Sequence, residues 1–173
     1  DVSVQFNGQT LTTFCPDLTE TVTDSGATYS IVSITDLPTS GGQPPMGADK
    51  AQAIADIFPA SGGSAMLGSS ADDFFAAFQI LIWEIVSDYN VGEGISSVNL
   101  DHGSLVVTKT DGNPLSSGVM SEFNNLVGQI GSGGVVGQMV GFANDGSQDQ
   151  MFRVPTPGTL AISALGARPT YDL

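Results

Sequence analysis

At 173 residues the chain has room for one domain with a real core, or for a domain with a terminal extension, and two full domains are not expected. It carries 18 Asp and Glu against 4 Lys and Arg, for a formal charge of -14, and the basic residues Lys50, Lys109, Arg153 and Arg168 are scattered along it. No basic patch can be built from them, which excludes nucleic acid and anionic membrane surfaces as partners.

The first residues, Val2-Ser3-Val4-Gln5-Phe6, alternate as a strand does, and no initiator Met, basic n-region or apolar h-region precedes them. The sequence reads as a mature, processed chain. Strands are predicted within residues 2–14 and 27–34, with Asn7-Gly8 and Asp24-Ser25-Gly26 as turns. Thr39 to Pro45 is a Gly- and Pro-rich loop, Ala48 to Phe58 a short amphipathic helix closed by Pro59, and Ala60 to Ser69 a second loop.

The strongest segment runs from Ser70 to Tyr89. Ser70 can cap it, Asp72 and Asp73 favour a helix N-terminus, and Phe74, Phe75, Phe78, Leu81, Ile82, Trp83, Ile85 and Val86 make it apolar over most of its circumference. A hairpin is predicted over Ile95 to Thr108 with a break at Asp101-His102-Gly103. A helix follows from Ser116 to Ile130, then strands over Val135 to Phe142 and Gln150 to Val154. The fold class expected is α+β: strands at both ends, sandwich- or barrel-like, around a central buried helix and two further helices. No apolar run approaches the roughly 20 residues a membrane-spanning helix needs.

Two residues stand out chemically. Cys15 is the only cysteine, so it has no intramolecular disulfide partner. It is read as a small buried hydrophobe, as half of an intermolecular disulfide, or as an acylated sulfur. Gln79 falls in the middle of the most apolar helix, one turn from Phe75 and one from Trp83, where a primary amide needs a partner. A hydrogen bond to backbone or water would satisfy it.

Phe14-Cys15, followed across the chain by Phe78-Gln79-Ile80-Leu81-Ile82-Trp83, resembles the thioester domains of bacterial surface proteins, which pair an aromatic-Cys step with a Thr-Gln-x-Ala-hydrophobic-Trp helix. Phe78 stands where that family has Thr, Leu81 where it has Ala, and Pro16 where an aromatic often follows the cysteine. The resemblance implies a thioester between Cys15 and Gln79, with Phe14, Phe75 and Trp83 as supporting residues, and a thioester-type surface domain over residues 1–153. It implies an amine-bearing surface or matrix molecule as the partner.

Val154-Pro155-Thr156-Pro157-Gly158-Thr159-Leu160-Ala161 is similar to the start of the Pro-Glu-Pro type C-terminal sorting signal of exported Gram-negative proteins, with Thr156 in place of Glu. Residues 154–173 thus read as a degenerate sorting tail, or as an extended segment exchanged with a neighbouring copy. Acidity, 22 glycines and few charges fit an extracellular location.

His102 reads as a solvated turn residue and Asp145-Gly146-Ser147-Gln148-Asp149 as a polar turn, because the latter lacks the full calcium-loop spacing and its terminal Glu. Nothing resembles a Ser-His-Asp set, a phosphate loop or a zinc cluster, so neither turnover chemistry nor a cofactor is expected. Three readings follow: a secreted surface protein that bonds covalently to amines, a structural subunit of an extracellular filament or matrix assembled by strand exchange, and a plain exoprotein with a buried free cysteine.

Overall fold

A computed structural model describes residues 2–6, 9–21, 27–38, 44–58 and 71–154. The fold is α+β. Five strands and three α-helices are formed among the described residues, with strands toward both ends of the sequence and helices between. The chain divides into two compact units, one of residues 1–47 and 135–173 and one of residues 48–134. The predicted turns at Asn7-Gly8 and Asp24-Ser25-Gly26, the loop over 60–69 and the tail beyond Val154 lie outside the described residues.

In the first unit β1 (Val2–Phe6) and β2 (Gln9–Thr13) form an antiparallel ladder with Val2 opposite Thr13 and Phe6 opposite Gln9. A second antiparallel sheet has the order β3-β4-β5, from β3 (Ser30–Val32), β4 (Met139–Ala143) and β5 (Gln150–Arg153). Its core is Tyr29, Phe142 and Phe152. The two phenylalanines are diagonal neighbours across β4 and β5 and stack at 5.3 Å, while Tyr29 meets Phe142 edge-on at 6.4 Å. A Cβ on Gly141 would press to 2.8 Å from Leu37 Cδ1, so any side chain here would make Leu37 shift.

Two predicted strands are shorter than their patterns. The stretch over 27–34 pairs only at Ser30–Val32 and then tightens into a 3-10 turn, Ile34–Asp36, whose first amides are capped by Ser33 Oγ at 3.3 Å from Thr35 N. The stretch over 135–142 begins as another 3-10 turn, Val136–Gln138, and only from Met139 does it pair as a strand.

In the second unit α1 (Gly47–Ile57), α2 (Ala71–Asp88) and α3 (Ser117–Val127) follow the predicted helical periods to within a few residues. Val119, Phe123 and Leu126 of α3 recur at helical spacing and are buried. In α2 the buried set is Ala77 to Ile82, Glu84, Ile85 and Val86, so this helix is enclosed nearly all round, as its composition demands. Phe58 packs edge-on against Phe78 at 4.7 Å and Phe74 stacks on Phe78 at 5.7 Å. Ser116 caps α3, its Oγ accepting from Val119 N at 3.2 Å. Ser116→Ala is expected to cost about 1 kcal/mol, read as a lower urea midpoint at unchanged slope.

The hairpin predicted over 95–108 is not formed. A 3-10 turn, Ile95–Ser97, is followed by irregular chain with a single backbone bond across the predicted break, Val107 N to Leu100 O at 3.1 Å, and the amides of Asn99, Ser104 and Leu105 go to carboxylates of α2. Glu84 Oε1 accepts from Asn99 N at 2.7 Å, and Asp88 accepts from Ser104 N and Leu105 N at 2.8 Å each. The β-branched pattern of this stretch was overridden by acceptors that belong to another element.

Candidate functional site

Cys15 lies two residues beyond the end of β2. Phe14, itself buried, and Met151 of β5 exchange both backbone hydrogen bonds, at 2.9 and 2.8 Å, which fixes the chain on either side of Phe14. Alternation then puts Thr13 and Cys15 on one face, with Gln150 opposite Cys15 on the partner strand. Cys15 is 6 % exposed and Gln150 1 %. Gln150 Oε1 accepts the Thr13 hydroxyl at 2.8 Å, and its Nε2 donates to Cys15 Sγ at 3.0 Å.

Burial pushes the Cys15 thiol pKa up, the Gln150 hydrogen bond pulls it down, and the Asp17 carboxylate pushes it up, with a net rise. At neutral pH the group is a thiol. Asp17 is fully buried, its Oδ1 accepting Thr19 N and the Thr19 hydroxyl at 2.6 and 2.8 Å, while Oδ2 has no partner among the described residues.

Gln79 lies in the middle of α2 at 8 % exposure. Phe75 and Trp83, four residues to either side, share its stripe of the helix. Both are partly buried; Phe75 packs edge-on against Phe74 at 5.9 Å, and Trp83 Nε1 is buried with no partner among the described residues. The predicted residues therefore divide: Phe14 and Cys15 belong to the first unit, and Phe75, Gln79 and Trp83 to the second.

Thr13, Asp17, Asp56, Glu84 and Gln150 are buried polar residues that no sequence pattern marks, and three of them bear on the chemistry. Thr13 and Gln150 fall at plain strand positions, although a glutamine beside Met151-Phe152 is out of keeping with a buried strand. Glu84, in the same helix as Gln79, is 0 % exposed and its pKa is raised to about 7. Burial is the main cause. The Asn99 hydrogen bond opposes it and the charge of Asp88 adds to it.

His102 is exposed in a turn, as expected. The segment from Asp145 to Asp149 closes the β4-β5 hairpin: Asp149 Oδ1 accepts Asn144 N at 2.9 Å, and Tyr29 donates its hydroxyl to Ser147 Oγ at 3.0 Å. Among the described residues no three His, Cys, Asp or Glu side chains are grouped to hold a metal ion, and no helix is long and apolar enough to cross a membrane. The second unit has a groove of about 380 Å³ lined by Leu100, Val107, Pro114, Met120 and Phe123, with Asp101 as the one charged residue on its wall.

No family model, no curated protein and no solved structure matches this chain.

Proposed function

We propose that this chain is a secreted, cell-surface protein that forms an internal thioester between Cys15 and Gln79 and uses it to bond covalently to an amine on a surface or matrix molecule. In forming the bond, Cys15 Sγ attacks Gln79 Cδ, the C–N bond breaks, and the thiol proton leaves with the nitrogen as ammonia. In discharging it, an amine nitrogen bonds to Cδ, the C–S bond breaks, and the sulfur ends as a thiol holding the proton shed by the amine. Each chain reacts once.

The observation that carries the reading is that both side chains it needs are buried, Cys15 at 6 % and Gln79 at 8 % exposure. A thioester sulfur bears no charge and tolerates such a site at any pH, and exclusion of water protects the bond from hydrolysis. Lysine chemistry is compatible with it. Lys50 donates from Nζ to the Val86 carbonyl at 2.6 Å, and burial holds its pKa below the ordinary value, so this amine is engaged inside the second unit.

Intact mass tests the proposal: the purified chain is expected to weigh less than its sequence by one ammonia, and methylamine to add one amine per chain. Cys15→Ala is expected to show neither change. An unmodified mass in the unsubstituted chain, with a titratable thiol, would sink the reading.

One observation favours a filament or matrix subunit as a second reading. Among the described residues β3 is the edge of the β3-β4-β5 sheet, and its Ile31 is exposed, which suits strand addition from another copy. Ordered polymers in electron micrographs are its expected result, and dispersed monomers would refute it.

A further inference from the structure

Gln150 has both ends of its carboxamide occupied in a way that fixes which end meets the sulfur. The Gln148 carbonyl, which can only accept, lies 3.3 Å from Nε2 and so sets the amide nitrogen on the side of Cys15 Sγ, at 3.0 Å, while Oε1 accepts the hydroxyl of the wholly buried Thr13 at 2.8 Å. An N–H donates in the plane of its amide, whereas attack on the amide carbon comes from above that plane. Gln150 is therefore placed as a donor to the sulfur and not as its acyl partner.

We infer that Gln150, aligned by Thr13, is a positioning residue for Cys15 that holds the sulfur by a hydrogen bond and stabilises the thiolate released when an amine opens the thioester. The inference rests on the proposed function for its reaction and on the Thr13-Gln150-Cys15 geometry for its residue. When the amine nitrogen bonds to Gln79 Cδ, the electron pair of the breaking C–S bond goes to Cys15 Sγ. That charge develops at a buried sulfur near Asp17, a fully buried carboxyl whose Oδ2 has no partner among the described residues. A donor at the sulfur offsets both penalties, and Gln150 supplies one. Tyr29 is the other titratable side chain interacting with Cys15, and Glu20 and Asp149 in turn act on Tyr29.

The test compares the unsubstituted chain with Gln150→Leu, which removes the donor, and Thr13→Val, which keeps the shape and removes the hydroxyl that aligns it. Methylamine opening, followed by intact mass, is expected to slow by at least about tenfold in Gln150→Leu and by less in Thr13→Val. The second readout needs no thioester. In a Gln79→Ala background, where the thiol is free, the Cβ chemical shift of the single cysteine is followed by NMR against pH. Gln150→Leu is expected to move the thiol midpoint upward by about one pH unit or more. Failure of the unsubstituted chain to lose ammonia would remove the proposed function and leave the NMR titration to decide Gln150. Superimposed titrations, or equal opening rates where the bond is present, would overturn the inference itself.

Discussion

Gly134→Ala is expected to destabilise the second unit by at least about 2 kcal/mol, more than a typical exposed Gly→Ala change. Gly134 does not have a positive φ, so the reason is space and not conformation. A Cβ built there would collide with the carbonyl oxygen of Ala55 in α1, a backbone atom that cannot swing aside. The segment is held that close by Asp56, whose Oδ1 accepts Gly134 N at 2.6 Å and Gln52 Nε2 at 2.9 Å and whose Oδ2 accepts Gly131 N at 2.6 Å. Gln52 Nε2 also donates to Gly134 O at 2.7 Å. Moving the chain away to admit a methyl group breaks hydrogen bonds to a charged acceptor, each worth about 1.5–3 kcal/mol. Urea unfolding followed through Trp83, the single tryptophan, measures the change. Gly131→Ala is the comparison: its Cβ meets nothing within 4 Å, and only its φ of +91° resists the substitution. A Gly134→Ala midpoint indistinguishable from that of the unsubstituted chain would show the contact to be dispensable.

What could be read in the sequence follows the range of the interactions that decide it. The three helices were legible because period and caps are local, as with Ser116 ahead of Val119 and Phe123. The hairpin over 95–108 was misread because Glu84 and Asp88, more than ten residues upstream, take the amides that a strand partner would have taken. Cys15 and Gln79 were visible through a motif resemblance and through a polar amide set in an apolar helix. The immediate surroundings of Cys15 were not visible. Gln150 lies 135 residues away in sequence and reaches the sulfur only through the pairing of Phe14 with Met151, which no local pattern announces. The misplaced polarity of Gln150 in its strand was the available signal, the same kind that singled out Gln79.

Glu84 gives the second large effect, a stability that falls as pH rises from about 4.5 to about 7. Its carboxyl is wholly buried, with Oε1 bonded to Asn99 N and Oε2 without a partner among the described residues, and burial raises its pKa from 4.5 to about 7. A carboxyl with a raised pKa binds its proton more tightly in the folded chain than in the unfolded one. The folded chain therefore holds more protons between the two values, and stability declines with pH across that window. Below about pH 4.5 the penalty is absent; above about pH 7 it is fully present, at about 3 kcal/mol. Asp88 in the same helix has the opposite sign. Its desolvation is outweighed by hydrogen bonds from Leu105, Ser104 and the charge of Lys50, which lower its pKa. Its contribution is present above 3.8 and lost only below it, outside the Glu84 window. Glu84→Gln keeps the shape and an acceptor for Asn99 while removing the charge. Urea unfolding at pH 5 and pH 8 is expected to give a large loss of stability between the two in the unsubstituted chain and little in Glu84→Gln, with the variant the more stable at pH 8. Equal pH slopes in the two proteins would show that Glu84 is ionised in the fold and that another group sets the dependence.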